Sequence, residues 1–378
     1  MKLNGALHLA LIPALLGLNA CRSDPPVSRL SEPSGTNQDS QSYPTARVPA
    51  GDPRFRYDGR FDFSDTNGPV IIWQASRISI DFGGDAVVPL FDDATSQCFF
   101  NAAVDGSNTV IAIRQGQPAQ PPILTAAGSG RHHLELFKRS EADAGTVRFR
   151  GIFVMHSSEA WAPPPATNRL RMEFLGDSIT VGACNEDGAD DQWTNRSTHN
   201  AALSYAAVTA AAFSADYRNI SVSGMGVSTG WVDKTAIQVW DKTYPRPDSP
   251  RADLAAWVPQ VVFVNFGEND DSYPRAHGLP FPTDFTSRYV ALIHTVRAAY
   301  PAANIVLLRG GMFGGARSEP LRRAWEAAVA QLEAADPAIH HFVFTHWTPI
   351  HPRVADDRAM ADELIAWLKR QNFMSALR

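Results

Sequence analysis

Four residues in the C-terminal half have the types and settings that acyl-transfer chemistry uses. Ser178 stands in Gly176-Asp177-Ser178-Ile179-Thr180, just past an apolar run and at the opening of a helical one. A hydroxyl there is exposed, and its backbone N–H points where a helix start favours negative charge. The same position also suits an ordinary helix-capping serine. Asn269, in Gly267-Glu268-Asn269-Asp270, can aim a side-chain N–H at an oxyanion without adding charge, although Asn beside Gly is also common turn chemistry. Gly224, in Ser221-Val222-Ser223-Gly224-Met225-Gly226, lets a backbone N–H approach a substrate closely. His351, ahead of Pro352, is a loop imidazole that, when neutral, can take the proton of a serine hydroxyl. Each residue alone has a bland structural reading. What raises their weight is that all four fall at the ends of predicted strands.

Those strands belong to an alternating pattern that starts at Leu170. Apolar strand candidates are Leu170–Leu175, Tyr217–Val222, Val261–Phe266, Asn304–Leu308 and His341–Phe344. Helical patterns lie between and after them, over Asn200–Phe213, Phe285–Tyr300, Glu319–Ala334 and Arg358–Lys369. In the second of these, Phe285, Tyr289, Leu292, Val296 and Tyr300 recur at helical spacing, with Asp284 as cap. Such alternation requires right-handed crossovers and gives a parallel sheet covered by helices on both faces. Sites in these α/β folds form at the carboxyl ends of the strands.

The preceding stretch, Phe55 to Trp161, has period two instead. Ile78, Ile80 and Phe82 alternate with Ser79 and Asp81, and Gly-rich turns such as Gly83-Gly84-Asp85, Asp105-Gly106 and Gly128-Ser129-Gly130 punctuate the runs. The pattern predicts an all-β sandwich, ending at Pro163-Pro164-Pro165, which reads as a short stiff hinge. A chain of 378 residues, 44% hydrophobic and 19% charged, has the length and composition of two globular domains. Its net charge of −5 carries no basic footprint of a nucleic-acid binder.

The first twenty residues form a targeting segment: Lys2, then the apolar Leu3–Leu18. The run ends in Leu18-Asn19-Ala20-Cys21, which resembles a bacterial lipobox with Cys21 as the lipidated first mature residue; an ordinary signal peptide, or a short core helix that ends in cysteine, is the alternative. Arg22 after the cysteine goes with outer-membrane sorting, at the periplasmic or cell-surface side. Ser23 to about Pro53 is rich in Ser, Pro, Asn and Gln and reads as a flexible tether. The expected organisation is 1–20 signal, 21–54 lipidated tether, 55–162 β-sandwich and 168–378 α/β domain. Membrane contact would come through the lipid alone.

The four blocks resemble the SGNH (GDSL-type) hydrolases, whose flavodoxin-like sheet fits the α/β half. Gly59-Arg60-Phe61-Asp62-Phe63, the Trp73 strand, Val104-Asp105-Gly106, His132-His133-Leu134-Glu135-Leu136 and Glu141 resemble the N-terminal jelly-roll of carbohydrate esterase family 2. The resemblance spans about Phe55 to the C-terminus and implies an acetyl esterase acting on xylan- or glucomannan-type polysaccharides, without cofactor or metal. It makes Ser178 the nucleophile and His351 its base. It also builds an oxyanion hole from the N–H groups of Ser178 and Gly224 and the Asn269 side chain. One position departs from the pattern. SGNH enzymes usually carry Asp three residues before the histidine, where this chain has Thr348. The resemblance then points to a Ser–His dyad with Thr348 or its carbonyl orienting the ring, or to a distant carboxylate such as Asp356.

Other features stay open. Trp231 and Trp347 suit stacking on pyranose faces or plain packing. His340, His341, His346 and His351 match no zinc template. Cys98 and Cys184 could pair or remain free thiols. A monomer is expected. Two rival functions stand beside the esterase: a glycan-binding lipoprotein whose site has decayed, for which the missing Asp speaks, and a GDSL-type lipase.

Overall fold

The β-branched and aromatic strands of the C-terminal half assemble as the alternation predicts. In a computed structural model that describes residues 45–117, 121–165 and 169–377, the strands Arg171–Gly176, Asp216–Ser221, Val261–Asn265, Asn304–Met312 and Ile339–Thr348 pair in parallel. Their order is second, first, third, fourth, fifth. Every residue of the central Val261–Asn265 strand is buried, as a sheet covered on both faces requires. On one face lie Phe285–Ala299 and Glu319–Ala335, through Tyr289, Leu292, Leu321 and Trp325. Tyr205–Ala212 and Val354–Leu368 cover the other with Tyr205, Met360 and Leu364.

Boundaries shift where local chemistry overrides periodicity. The helix expected over Asn200–Phe213 starts at Tyr205, because the Ser204 hydroxyl accepts the Ala207 N–H and Ala201–Leu203 winds as a 3₁₀ turn. The helix expected from Arg358 begins at Val354. The fourth and fifth strands extend past their predicted ends, resuming pairing beyond a register shift between Arg309 and Gly311.

Among the described residues the period-two region folds into two antiparallel six-stranded sheets, the expected sandwich. One contains Phe61–Asp62, Val70–Ile71, Val147–Met155, Ala86–Asp92 and Leu124–Thr125 in that order. The other runs Ala160–Trp161, Arg77–Phe82, His132–Lys138, Gln97–Val104 and Ser107–Arg114, with Arg56–Asp58 also paired to Arg77–Phe82. Ile78, Ile80, Phe82, Phe100, Phe149 and Ile152 form its core. The sixth strand of the first sheet corrects the sequence reading. Ala46–Pro49, assigned to the tether, pairs with Val147–Met155 and buries Val48 in the sandwich. Four residues offer too short an alternation to distinguish a strand from a linker. Cys21, the signal segment and the tether up to residue 44 lie outside the described residues.

A hinge between independent domains is also not what the structure has. Ile72, Trp73 and Ala142 of the β half are part of the same core as Leu175, Ile220 and Trp240 of the α/β half. The Trp73 indole N–H donates to Thr243 O at 2.7 Å, and Gln74 Nε2 donates to Asn219 Oδ1 and Ser221 O at 3.0 and 2.9 Å. Arg60 donates to Trp240 O at 2.6 Å and pairs with the buried Glu173 carboxylate at 3.4 Å. Cys98 and Cys184 are free and buried.

Candidate active site

Ser178 is the first residue of a one-turn helix, Ser178–Val181, entered directly from the first parallel strand. Asp177 caps that turn, its carboxylate accepting the Ile179 N–H at 3.1 Å. Burial, reinforced by the charges of Glu268 and Asp270, pushes the Asp177 carboxyl well above its ordinary range.

Past the second strand, Gly224 has φ of +78°, and a Cβ there would lie 3.1 Å from Trp231 Cβ, so glycine fits both the conformation and the space. The loop is held from two sides. Glu141, from the β half, accepts the Ser223 N–H at 3.0 Å. Asp270 accepts the N–H groups of Val227, Ser228 and Thr229, with contacts between 2.7 and 3.2 Å. Burial raises the Asp270 carboxyl to about 6, even against those three donors.

Asn269 lies in the first turn of Glu268–Ala276, which follows the third strand. Its Nδ2 donates to Asp177 Oδ2 at 3.2 Å and Met225 O at 3.1 Å. The carboxamide is thus fixed, and giving an N–H to an oxyanion means exchanging one of these long bonds.

His351 follows the fifth strand. Its Nδ1 lies 2.7 Å from Asp191 Oδ2, while Arg353 Nη1 donates to Asp191 Oδ1 at 2.8 Å and to His351 O at 3.0 Å. Burial alone would raise the Asp191 carboxyl, but bonding to His351 and Arg353 outweighs it and brings it down to about 2. Trp193 lies flat against the His351 ring, centroids 5.3 Å apart and planes 28° apart.

Ser178, Gly224, Asn269 and His351 line one cavity of about 600 Å³, together with Glu141, Trp193, Arg196, Trp231, Arg275 and Phe313 among others. The hydroxyl, the imidazole and the carboxamide, expected from sequence, are brought together. Among the described residues no hydrogen bond yet joins Ser178 to His351, a contact that often tightens only with substrate.

The orienter was misplaced in the sequence reading. Thr348 Oγ1 donates to Ile350 O at 2.6 Å and to Gly311 O at 3.4 Å, so it fixes the loop and leaves the imidazole to Asp191. Asp356 accepts from Arg353 N at 2.9 Å and bonds His346 Nε2 at 2.8 Å, away from His351. Asp191 follows the helix of Ser178 rather than preceding the histidine; the only hint in the sequence was the acid-rich run Asp187-Gly188-Ala189-Asp190-Asp191. Trp231 lines the cavity half-exposed, its Nε1 donating to Ser272 Oγ at 3.0 Å. Trp347 does not line it; its indole packs under Arg317 and against Phe313. Trp193 takes the place at the imidazole that sequence did not assign.

His340 and His341 bond Asn304 and Glu333 respectively, so the histidine run disperses. Cys184, Asp191 and His351 offer donor atoms within 4.8 Å of one another. A cation there would have to displace the His351–Asp191 bond, and burial keeps the Cys184 thiol protonated by raising it far above its usual range.

Comparison with known proteins places this arrangement. Residues 57–165 match the carbohydrate esterase 2 N-terminal family, and residues 174–368 match the GDSL-like lipase/acylhydrolase family. The chain is 32% identical over 330 residues to the cellulase/esterase CelE of Acetivibrio thermocellus, covering 84% of this chain but 40% of that protein. It is 26% identical to an acetylxylan esterase/glucomannan deacetylase of Cellvibrio japonicus, covering 82% of this chain and 88% of the relative. Among solved structures, a family two carbohydrate esterase from Clostridium thermocellum in complex with cellohexaose aligns at TM-score 0.72 and 30% identity, over 83% of this chain and 98% of that one. The β-sandwich, the parallel sheet with a Gly-Asp-Ser block at its rim, and these matches agree: the chain belongs to the GDSL-like lipase/acylhydrolase family, as an esterase of the carbohydrate esterase family 2 type.

Proposed function

We propose that the protein removes O-acetyl groups from polysaccharides or oligosaccharides of the xylan and glucomannan type through an acetyl-enzyme. The carrying observation is the shared cavity of Ser178, Gly224, Asn269 and His351, with the His351 ring held by an ionised Asp191. Ser178 Oγ attacks the acetyl carbonyl while His351 Nε2 takes its proton. Asp191 keeps Nδ1 protonated and stabilises the imidazolium. The oxygen's developing charge meets the N–H groups of Ser178 and Gly224 and one N–H of Asn269. The imidazolium then protonates the leaving sugar oxygen, and water, activated by the same ring, releases acetate from Ser178.

A saccharide suits the lining, which mixes Glu141, Asp143, Arg196, Ser272 and Arg275 with the indoles of Trp193 and Trp231. Relatives named acetylxylan esterase/glucomannan deacetylase support the same substrate class. The decayed-site alternative rested on an absent acid, and the carboxylate of Asp191, 2.7 Å from His351 Nδ1, supports the esterase reading against it. The reading extends to export and anchoring through Cys21, supported by the Leu18–Cys21 pattern; Cys21→Ala should then move the protein from membrane to soluble fractions, and unchanged partition would refute the anchor.

The test of the chemistry is acetate release from acetylated xylan and glucomannan. The Ser178→Ala variant should lose ~10³-fold or more in kcat while keeping its fold. Equal acetate release by that variant ends the assignment.

A further inference from the structure

We infer that Glu141, a buried carboxylate of the β-sandwich half, is a positioning residue that holds both halves of the catalytic machinery in register. The inference rests on the esterase reading above. Glu141 precedes the 3₁₀ turn Ala142–Ala144, yet its side chain makes no capping bond there. It points across to the α/β half and lines the active-site cavity, fully buried. One oxygen accepts the Ser223 N–H at 3.0 Å, which fixes the Val222–Ser223 peptide, one peptide ahead of the one that carries the Gly224 N–H, and so anchors the loop that presents it. The other accepts Arg196 Nη1 at 2.8 Å. The Arg196 guanidinium lies over the Trp193 ring at 4.6 Å, and Trp193 in turn stacks on His351.

A single carboxylate therefore reaches the oxyanion loop on one side and, through Arg196 and Trp193, the general base on the other. The backbone that carries it is itself anchored. The buried Lys138 Nζ donates to Ser140 O and Glu141 O, both at 2.8 Å, and Gln74 Oε1 accepts the Ala142 N–H at 3.1 Å. Misplacing an oxyanion donor or a base by a fraction of a bond length is felt in the chemical step more than in binding. This gives the β half a part in catalysis without any contact to the reacting atoms.

The test is Glu141→Gln, which keeps size but removes the charge and leaves a single accepting oxygen, so that when this oxygen stays with the Arg196 cation an NH2 group faces the Ser223 N–H and cannot accept it. With p-nitrophenyl acetate, kcat should fall ~10- to 100-fold while KM stays within about threefold and the thermal midpoint is kept. Glu141→Asp should recover part of the loss. Hydrogen exchange over residues 221–226 should lose protection at Ser223 in the Gln variant, a readout that needs no turnover. A folded Gln variant with wild-type kcat, a change confined to KM, or unaltered exchange at Ser223 overturns the proposal. Should Glu141→Gln fail to fold, Arg196→Gln tests the limb to the base alone and must lower kcat without exposing Ser223. If the wild-type protein hydrolyses no acetyl ester, the esterase reading fails, and the exchange experiment still decides whether Glu141 holds the loop.

Discussion

At the scale of single residues, the acid that serves His351 is the feature that sets this chain apart from the usual pattern. Asp191 is bonded to Nδ1 at 2.7 Å and braced by Arg353. Asp191→Asn, which leaves the shape but favours the wrong tautomer, should cost ~10²- to 10⁴-fold in kcat, whereas Thr348→Val should stay within a few-fold of wild type. The two variants, assayed side by side for acetate release, distinguish a triad from a dyad; a silent Asp191 would restore the dyad. That Ser178, Gly224 and Asn269 meet in one cavity was legible because each stands in a distinctive local block at a strand end, Gly-Asp-Ser, Ser-Gly and Gly-Glu-Asn-Asp. Asp191 was not, because the imidazole it serves lies at the far end of the polypeptide, and only folding brings the two together.

At the scale of elements, the strands that deliver the site were readable from apolar runs, since burial on both faces leaves no other composition for them. Ends were less so: Ser204 and the Gly310-Gly311 bulge act through a single hydrogen bond and a register shift, which period alone does not carry. The cap of Tyr205–Ala212 against Val354–Leu368 has a testable electrostatic side. Asp357, fully buried, accepts the Tyr205 N–H at 2.9 Å and the Asn185 amide at 3.1 Å. Burial outweighs both donors and raises its carboxyl to about 8. The folded chain keeps a proton that the unfolded chain releases near ~4, so stability falls as pH rises from that value toward 8. Asp357→Asn removes the titration, and its thermal midpoint relative to wild type should therefore rise between pH 5 and pH 8. A difference that stays constant across that range would refute the account.

At the scale of the molecule, the two halves differ in grammar but do not behave as separate bodies. The turn-punctuated β half and the βα alternation were each evident from sequence. Their union was not, because Trp73, Gln74 and Arg60 look like ordinary strand residues until Thr243, Ser221 and Glu173 are seen beneath them. A shared core predicts one cooperative unfolding transition, with calorimetric and van't Hoff enthalpies in agreement. Two resolved transitions would show that the halves melt independently. Trp73→Ala should destabilise the whole by about 3–5 kcal/mol, rather than the sandwich alone.

The placement of Asp191 has a consequence for how such a site can be rebuilt. Ser178 and Asp191 ride together on the excursion between the first two strands, and His351 arrives with Arg353 from beyond the last one. Swapping in the tail of a cousin that brings a histidine, with an arginine two residues on to brace the acid, would leave nothing missing, since the carboxylate is already waiting at the other end of the graft.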